Sequence, residues 1–174
     1  MIKKCFIVLI GVVALTLTFS GVVFAEADGF RGIKWGTEFS TLSNVMTYVG
    51  TDPSYGGFKI YSKKDDKLKM GKADIEMIEY SFWNDKLSDV TISVKGNRNF
   101  NYLKEATFEE FGKGDKFMPN RENYIWSGTV TNMILNNREA SVPGALSTLS
   151  MSSIKIIDEA QRQHKEKGKA ERGF

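Results

Sequence analysis

Histidine and cysteine are almost absent from this chain, which contains one of each among its 174 residues. Cys5 stands just before a long apolar run, and His164 lies in the highly charged stretch EAQRQHKEKGKAER. Zinc sites built on Cys and His, serine or cysteine triads, haem ligation and histidine acid–base catalysis all depend on these residues. The sequence therefore predicts no metal site, no cofactor site and no catalytic residue of these kinds.

Recognisable acidic and phosphate-binding motifs are also missing. Asp65-Asp66 and Glu109-Glu110 are adjacent in sequence, so neither pair shares one face of a strand or a helix. The sequence contains no calcium-loop, P-loop or GxGxxG pattern. Carboxylate chemistry stays open, because a fold can bring two distant acids together as a glycosidase does. A carboxylate hydrolase is therefore the alternative to a non-catalytic protein.

A long uncharged and apolar run follows Lys3 and Lys4 at the N-terminus. The run ends in Val23-Phe24-Ala25, whose small residues fit positions −3 and −1 of a signal peptidase site. This order of positive, apolar and small residues predicts a cleavable signal peptide over residues 1–25. We expect a mature protein that begins at Glu26 and is periplasmic or secreted.

A membrane-spanning helix is the competing interpretation, since residues 5–25 are long enough to cross about 30 Å of hydrocarbon. Cleavage is favoured because the apolar run stops at a fitting cleavage site and globular sequence follows immediately. Cys5 precedes the apolar run, whereas the cysteine of a bacterial lipobox ends it. We therefore expect no lipid anchor, and no membrane span after cleavage.

The predicted mature protein carries almost no net charge. Residues 1–25 hold two of the 24 lysines and arginines and none of the 21 acids, which leaves 22 basic against 21 acidic residues. A nucleic-acid partner requires a concentrated positive face, so we expect no nucleic acid. Without a cysteine there is no disulfide, and stability has to come from a hydrophobic core.

The stretch IEMIEYSFWNDKLSDVTISVKG gives the clearest structural signal. Apolar and polar residues alternate in both of its halves, which predicts two half-buried antiparallel strands. For both apolar sets to share a face, Tyr80 has to lie opposite Val90 and Ile78 opposite Ile92. That register leaves a three-residue loop over residues 84–86.

The same register pairs Trp83 with Leu87 at the tip of the hairpin, on an otherwise polar face. A helix or the N-terminal segment would have to cover two apolar side chains in that position. The alternative is an exposed interaction patch for a partner or for a flat ligand such as a sugar. These two residues form the first candidate site.

The second candidate site consists of Lys63, Lys64, Lys67 and Lys69, which are interspersed with two aspartates. We expect FKIYS to be a strand, KKDD its turn and KLKM a candidate return strand. A solvated hairpin whose lysines protect an edge strand would explain the cluster. The alternative is a patch that binds an anionic ligand.

Three helices are predicted. The first is capped by Ser40 and ends at Gly50, the second is NFNYLKEATFEEFG with Gly112 as its stop, and the third begins at Ser153. The apolar side of the first helix consists of Leu42, Val45 and Met46. Between the second and third helices, YIWSGTVTNMILNN and ALSTLSMS are predicted as two strands joined around Pro143-Gly144.

This order of elements requires no parallel crossover, so the predicted class is α+β. We expect an antiparallel sheet of meander hairpins with helices packed on one face. One domain is predicted over residues 26–152, followed by a C-terminal helix and charged tail over residues 153–174.

The segment Gly32-Ile33-Lys34-Trp35-Gly36-Thr37, followed by a helix and a Tyr-x-Phe hairpin, resembles small exported bacterial proteins of uncharacterised families. The element order also resembles the helix-then-meander modules of the outer-membrane assembly lipoprotein SmpA and of the β-lactamase inhibitor protein. The resemblance implies a fold and transfers no functional residue. From the residues themselves, we expect Ile33 and Trp35 to be buried between two turn-forming glycines.

Together these patterns predict a non-catalytic exported protein that binds an envelope protein or polymer. The alternative function is a carboxylate hydrolase that acts on envelope polymers.

Overall fold

A computed structural model describes residues 26–172 of the chain, so the predicted signal peptide and the last two residues lie outside the described part. The strands are β1 (Gly29–Phe30), β2 (Ile33–Lys34), β3 (Met46–Asp52), β4 (Phe58–Lys63), β5 (Lys69–Met70), β6 (Ala73–Asp74), β7 (Met77–Trp83), β8 (Lys86–Val94), β9 (Asp115–Lys116), β10 (Asn123–Ser127), β11 (Thr131–Asn136) and β12 (Ser147–Ser153). The helices are α1 (Asn97–Phe111) and α2 (Ile154–Ala170). Neither these helices nor any other among residues 26–172 has the length and apolar character needed to cross a membrane.

One large sheet of eight antiparallel strands organises the fold. Its spatial order is β3-β4-β7-β8-β12-β11-β10-β9, and two short ribbons, β1-β2 and β5-β6, lie outside it. The first meander ends at β8 and the second at β12, and these two strands pair at the centre of the sheet. The fold class is therefore α+β with an antiparallel sheet and a C-terminal helix, as predicted.

One face of the sheet, here called the core face, carries the apolar residues predicted for β7 and β8. Tyr80 lies opposite Val90 and Ile78 opposite Ile92, and all four side chains are buried. Helix α1 packs over this face through residues that include Phe100. The alternation in the sequence thus identified the central part of the core.

Helix α2 packs against the opposite face, here called the reverse face. Side chains alternate between the two faces along a strand, so Trp83 points away from the core face that its neighbour Phe82 occupies. There Trp83 packs with Phe58 and with Ala160 of α2. The two helices therefore cover different faces, which corrects the prediction that they share one. Helix α2 lies on the reverse face because it covers Trp83, the apolar residue at the hairpin tip.

The turn between β7 and β8 is shorter than the predicted three-residue loop. Asn84 and Asp85 form it alone, with φ values of 47° and 58°, which is the left-handed conformation of a type I′ hairpin turn. Phe82 lies opposite Leu87, and Ser88 is left unpaired in a β-bulge. The bulge accommodates the extra residue, so both apolar sets keep the core face despite the shorter turn.

The segment predicted as the first helix forms an edge strand instead. Only the 3-10 turn Phe39–Thr41 is helical, and β3 continues through the predicted stop at Gly50. In this segment, the hydroxyl groups of Thr37, Thr41 and Ser43 each donate to the main-chain carbonyl three residues earlier. Such local hydrogen bonds compete with those of a helix and favour turns.

Two further strand predictions are corrected. KLKM contributes only β5, which pairs with β6 instead of returning along β4. Arg31, in the turn between β1 and β2, holds this stretch by donating to the carbonyls of Lys67 and Lys69, at 2.6 and 2.9 Å.

YIWSGTVTNMILNN is not one strand but the β10-β11 hairpin. Its turn contains Gly128, where an added β-carbon would collide with the side chain of Glu26.

Candidate functional site

A groove lies where the N-terminal segment, the β7-β8 turn, the β10-β11 turn and the first turns of α2 meet. Its volume is about 790 Å³, which is within the usual range of small-molecule sites. We call it the tryptophan groove. Its large apolar side chains are Trp35, Trp83, Val130 and Ile156. Its charged side chains are Asp28, Lys34, Lys86, Lys155 and Glu159.

The N-terminal segment places Trp35 in this groove. The indole Nε1 of Trp35 donates to the hydroxyl of Thr131 at 2.6 Å, and its main-chain N–H donates to the main-chain carbonyl of Asp28 at 2.9 Å. Gly36 follows with a φ of 80° and donates to the carbonyl of Leu87 at 2.8 Å. A left-handed residue at this position lets the chain turn along the hairpin. The GIKWGT segment is therefore structural, and it also lines the groove.

The hairpin tip and α2 together hold Trp83. Only 7% of this residue is exposed, because Phe58 and Ala160 pack against it. Its indole Nε1 donates to the carbonyl of Tyr55 at 3.2 Å. Trp83 is thus a largely buried side chain that contributes a small apolar area to the groove.

Trp83 and Leu87 do not form the shared patch that the sequence suggested. Trp83 lies opposite Lys86 on the reverse face. Leu87 lies opposite Phe82 on the core face, where it is fully buried. The bulge at Ser88 places the two side chains on different faces. Leu87 therefore offers no surface to a partner, and Trp83 offers only the small area that lines the groove.

Three lysines bring positive charge to the rim of the tryptophan groove. Lys34 pairs with Asp28 at 3.0 Å, and the Lys86 amine lies 3.9 Å from the Glu38 carboxylate. Among residues 26–172, Lys155 takes part in neither an ion pair nor a hydrogen bond of its amine. The rim therefore has a cation available for an anionic ligand.

The acidic residue Glu159 of the groove is already engaged within α2. Arg162 donates to its two carboxylate oxygens at 2.7 and 2.6 Å, and Gln163 donates at 2.6 Å. The hydrogen bonds from Arg162 and Gln163 lower the pKa of Glu159. This carboxylate is thus ionised and held by α2, and it offers little hydrogen-bonding capacity to a ligand.

The four lysines of the second candidate site do not converge. They are Lys63, Lys64, Lys67 and Lys69. Lys69 pairs with Asp74 at 2.9 Å, and Lys64 donates to the carbonyl of Asn44 at 3.1 Å. Lys67 and Lys69 line a pocket that also contains Arg31, whereas Lys63 lines a different pocket, so the four lysines do not share one site.

The KKDD turn contributes an anchor to the core instead. Arg31 donates to one oxygen of Asp66 at 2.6 Å, and the hydroxyl of Tyr80 donates to the other at 2.6 Å. The Asp66 side chain is only 8% exposed. Burial and the hydrogen bond to Asp66 raise the pKa of Tyr80, so its hydroxyl stays protonated. This network ties the turn to the N-terminal segment.

One wall of the groove is the β10-β11 turn, and Glu26 holds that turn in place. The Glu26 carboxylate accepts hydrogen bonds from the main-chain N–H groups of Thr131 and Val130, at 2.9 and 2.5 Å, and from the hydroxyl of Thr129 at 2.8 Å. Donors to the charged form stabilise it. The hydrogen bonds from Thr131 and Val130 lower the pKa of Glu26 from 4.5 to about 2.

Glu26→Gln should therefore remove a pH-dependent part of the stability. The folded pKa of Glu26 is below its unfolded value, so its contribution is present above about pH 4.5 and is lost as the pH falls towards 2. We expect the variant to be less stable than the wild type at pH 7, with the difference shrinking below pH 4.5. Urea unfolding across pH 2 to 7 measures this, with the exposed Glu105→Gln as control. A difference that stays constant with pH would contradict the role of Glu26.

A second feature, on the reverse face, is a pair of carboxyl groups. Asp89 lies opposite Ser81 and Glu79 opposite Thr91. The two acids therefore occupy diagonal positions on paired strands, where the residue positions are roughly 7 Å apart. Asp89 accepts hydrogen bonds from Ser152 and, at 3.4 Å, from Thr91. Burial raises the pKa of both acids, and the charge of Glu79 raises that of Asp89 further. Neither side chain lines the tryptophan groove.

Sequence reasoning missed the groove residues that come from the second half of the chain. Val130, Lys155 and Ile156 reach the groove only because β11 pairs with β12 and α2 then crosses the hairpin tip. No local pattern marks them. For Trp35 there was a signal, since two glycines bracket the apolar residues of its segment.

Within residues 26–172, no three side chains of His, Cys, Asp or Glu are grouped so that they could hold a metal ion. Comparison of the chain with protein-family models, with curated proteins and with solved structures gives no match.

Proposed function

We propose that this protein is a non-catalytic, exported binding protein of the bacterial cell envelope, and that the tryptophan groove binds an envelope component. The observation that carries this proposal is the groove itself, which combines two tryptophans with Lys155, a lysine that has no ion-pair partner among residues 26–172. Concave sites with an apolar lining and a few polar groups are typical of ligand binding.

The proposed location rests on the sequence. Lys3-Lys4, the apolar run and the small residues before Glu26 form the pattern of a cleavable signal peptide. Glu26, the residue that cleavage would leave first, is engaged with the β10-β11 turn. A chain that begins at Glu26 would therefore retain every groove contact described above.

The alternative function, a carboxylate hydrolase acting on envelope polymers, has one observation in its favour. Glu79 and Asp89 are close together, and their raised pKa values are the kind that glycosidases use for proton transfer. Such a mechanism also requires the substrate to reach both carboxyl groups. Asp89 is instead occupied by hydroxyl groups of neighbouring strands. We therefore favour the non-catalytic function.

Capture of envelope material on groove variants tests the proposal. The wild-type protein is recovered from the periplasmic fraction, and its mass is checked against that of a chain beginning at Glu26. It is then immobilised and exposed to envelope extract. We expect Val130→Asn and Lys155→Glu to lose the retained material, because the first changes the apolar wall and the second reverses the charge of a groove lysine. Mass spectrometry of the retained proteins, lipids and glycans is the readout.

Matched variants outside the groove control this experiment. Val142→Asn changes another exposed valine, and Lys165→Glu reverses another exposed charge on α2. Both should retain the material that the wild type retains. Equal retention by all four variants would mean that binding does not involve the groove, and a mass that still includes residues 1–25 would contradict the proposed processing.

A further inference from the structure

We propose that the ligand of the tryptophan groove is a monomeric, single-chain amphiphile with an anionic head group. This inference rests on the proposed binding function and names the chemistry of the ligand. It follows from which groups in the groove are free to interact and which are already engaged.

The interior of the groove offers apolar surface and little hydrogen bonding. The indole N–H groups of Trp35 and Trp83 both donate to protein acceptors, at 2.6 and 3.2 Å. Neither tryptophan therefore has a donor left for a ligand, and what remains is the apolar surface of the rings. Val130, which is 44% exposed, adds to this apolar surface. An alkyl chain is suited to such a lining.

The rim of the groove offers positive charge. Both acidic residues in the lining are engaged, Asp28 with Lys34 and Glu159 with Arg162. Of the three groove lysines, Lys155 is the one with no acidic partner among residues 26–172, and Lys86 faces a carboxylate only at 3.9 Å. The charge that remains available to a ligand is therefore positive, which complements an anionic head group.

The start of α2 adds to this preference for an anion. Ser153, the N-cap of the helix, makes no side-chain capping hydrogen bond, and the first turn contains no acidic residue. Ser153 and Lys155 both line the groove. A head group bound by Lys155 would thus lie beside the positive end of a 17-residue helix.

A sugar fits the same groove less well. Carbohydrate recognition needs several free donors and acceptors to replace the water bound to each hydroxyl group. Here the two indole N–H groups and the Glu159 carboxylate are already bonded within the protein. A sugar would therefore lose hydrogen bonds to water without regaining them from these groups.

Isothermal titration calorimetry with defined probes tests the ligand class. The mature protein is titrated with dodecyl phosphate below its micelle concentration, while circular dichroism confirms that the protein stays folded. Dodecyltrimethylammonium, dodecyl maltoside and inorganic phosphate vary the head group or omit the chain. We expect saturable binding of dodecyl phosphate only.

Charge and wall variants localise that binding. Lys155→Glu should weaken it about tenfold or more, because an attractive charge becomes repulsive at the same place. Val130→Asn should weaken it roughly tenfold by removing apolar contact. Lys165→Glu and Val142→Asn, which lie outside the groove, should bind as the wild type does.

The possible results separate the ligand class from the proposed function. Binding of the cationic or sugar-headed probe as tightly as dodecyl phosphate would overturn the anionic head group, and so would equal losses in the two control variants. Binding only to intact phosphatidylglycerol vesicles would overturn a monomeric ligand. If no amphiphile binds while capture from envelope extract still depends on Val130 and Lys155, the ligand class is wrong and the binding function stands.

Discussion

Phe82→Ala is expected to destabilise the protein by about 3 to 5 kcal/mol, the cost of removing a buried phenylalanine and leaving a cavity. Phe82 is 1% exposed and packs against the stacked rings of Phe39 and Tyr61, which meet it edge-on at ring-centroid distances of 5.4 and 5.5 Å. It joins the N-terminal segment to the core face. The loss would be a large share of the roughly 5 to 15 kcal/mol that stabilises a domain.

Urea unfolding at pH 7 measures this effect, and Phe117→Ala is the matched control. Phe117 is 62% exposed, so its truncation should change the free energy of unfolding by less than about 0.5 kcal/mol. If Phe82→Ala were as mild as the control, Phe82 would not lie in a packed core. The alternation in β7, from which its burial was predicted, would then have been misread.

Strict alternation made β7 and β8 predictable, whereas the turn between them was not. Two apolar sets with period two define which residues share a face, and that information lies in the sequence. The number of turn residues depends also on whether a strand contains a bulge. Ser88 is fully buried, and its hydroxyl donates to the carbonyl of Ser81 at 2.9 Å. A serine gives no sequence signal for such a bulge.

The misassigned first helix shows how weak a short apolar pattern is. Leu42, Val45 and Met46 have helical spacing, but hydroxyl groups on both sides of them favour turns. The following residues, Thr47 to Thr51, suit an edge strand, and pairing with β4 decides the outcome. Such long-range pairing is not visible in a local window.

The tryptophan groove could be predicted only in part for a related reason. Trp35 and Trp83 each stood out in the sequence, but they are 48 positions apart and were interpreted separately. Their proximity depends on the N-terminal segment following the hairpin, through main-chain hydrogen bonds of Gly36 and Leu87. The cationic rim depends on where α2 begins. Tertiary contacts of this kind assemble the site from residues that carry no common motif.

Trp83→Ala is the second change with a large expected effect. Its ring lies in a small cluster with Phe58 and Ala160 that is separate from the main core, and this cluster holds α2 on the reverse face. Truncation should cost about 3 to 5 kcal/mol. The loss should be accompanied by local loosening of α2, since few other buried side chains attach this helix to the sheet.

Hydrogen exchange distinguishes this local effect from general destabilisation. In Trp83→Ala, amides in the first half of α2 should exchange faster than those of α1. Each variant is measured at a denaturant concentration that gives the same free energy of global unfolding. Phe82→Ala should show no such preference for α2, because Phe82 belongs to the main core cluster. Ile134→Ala, a change of an exposed residue in β11, serves as the mild control.

A Trp83→Ala protein with unchanged stability and unchanged protection of α2 would show that the helix is not held by this tryptophan. The wall of the tryptophan groove would then need another support.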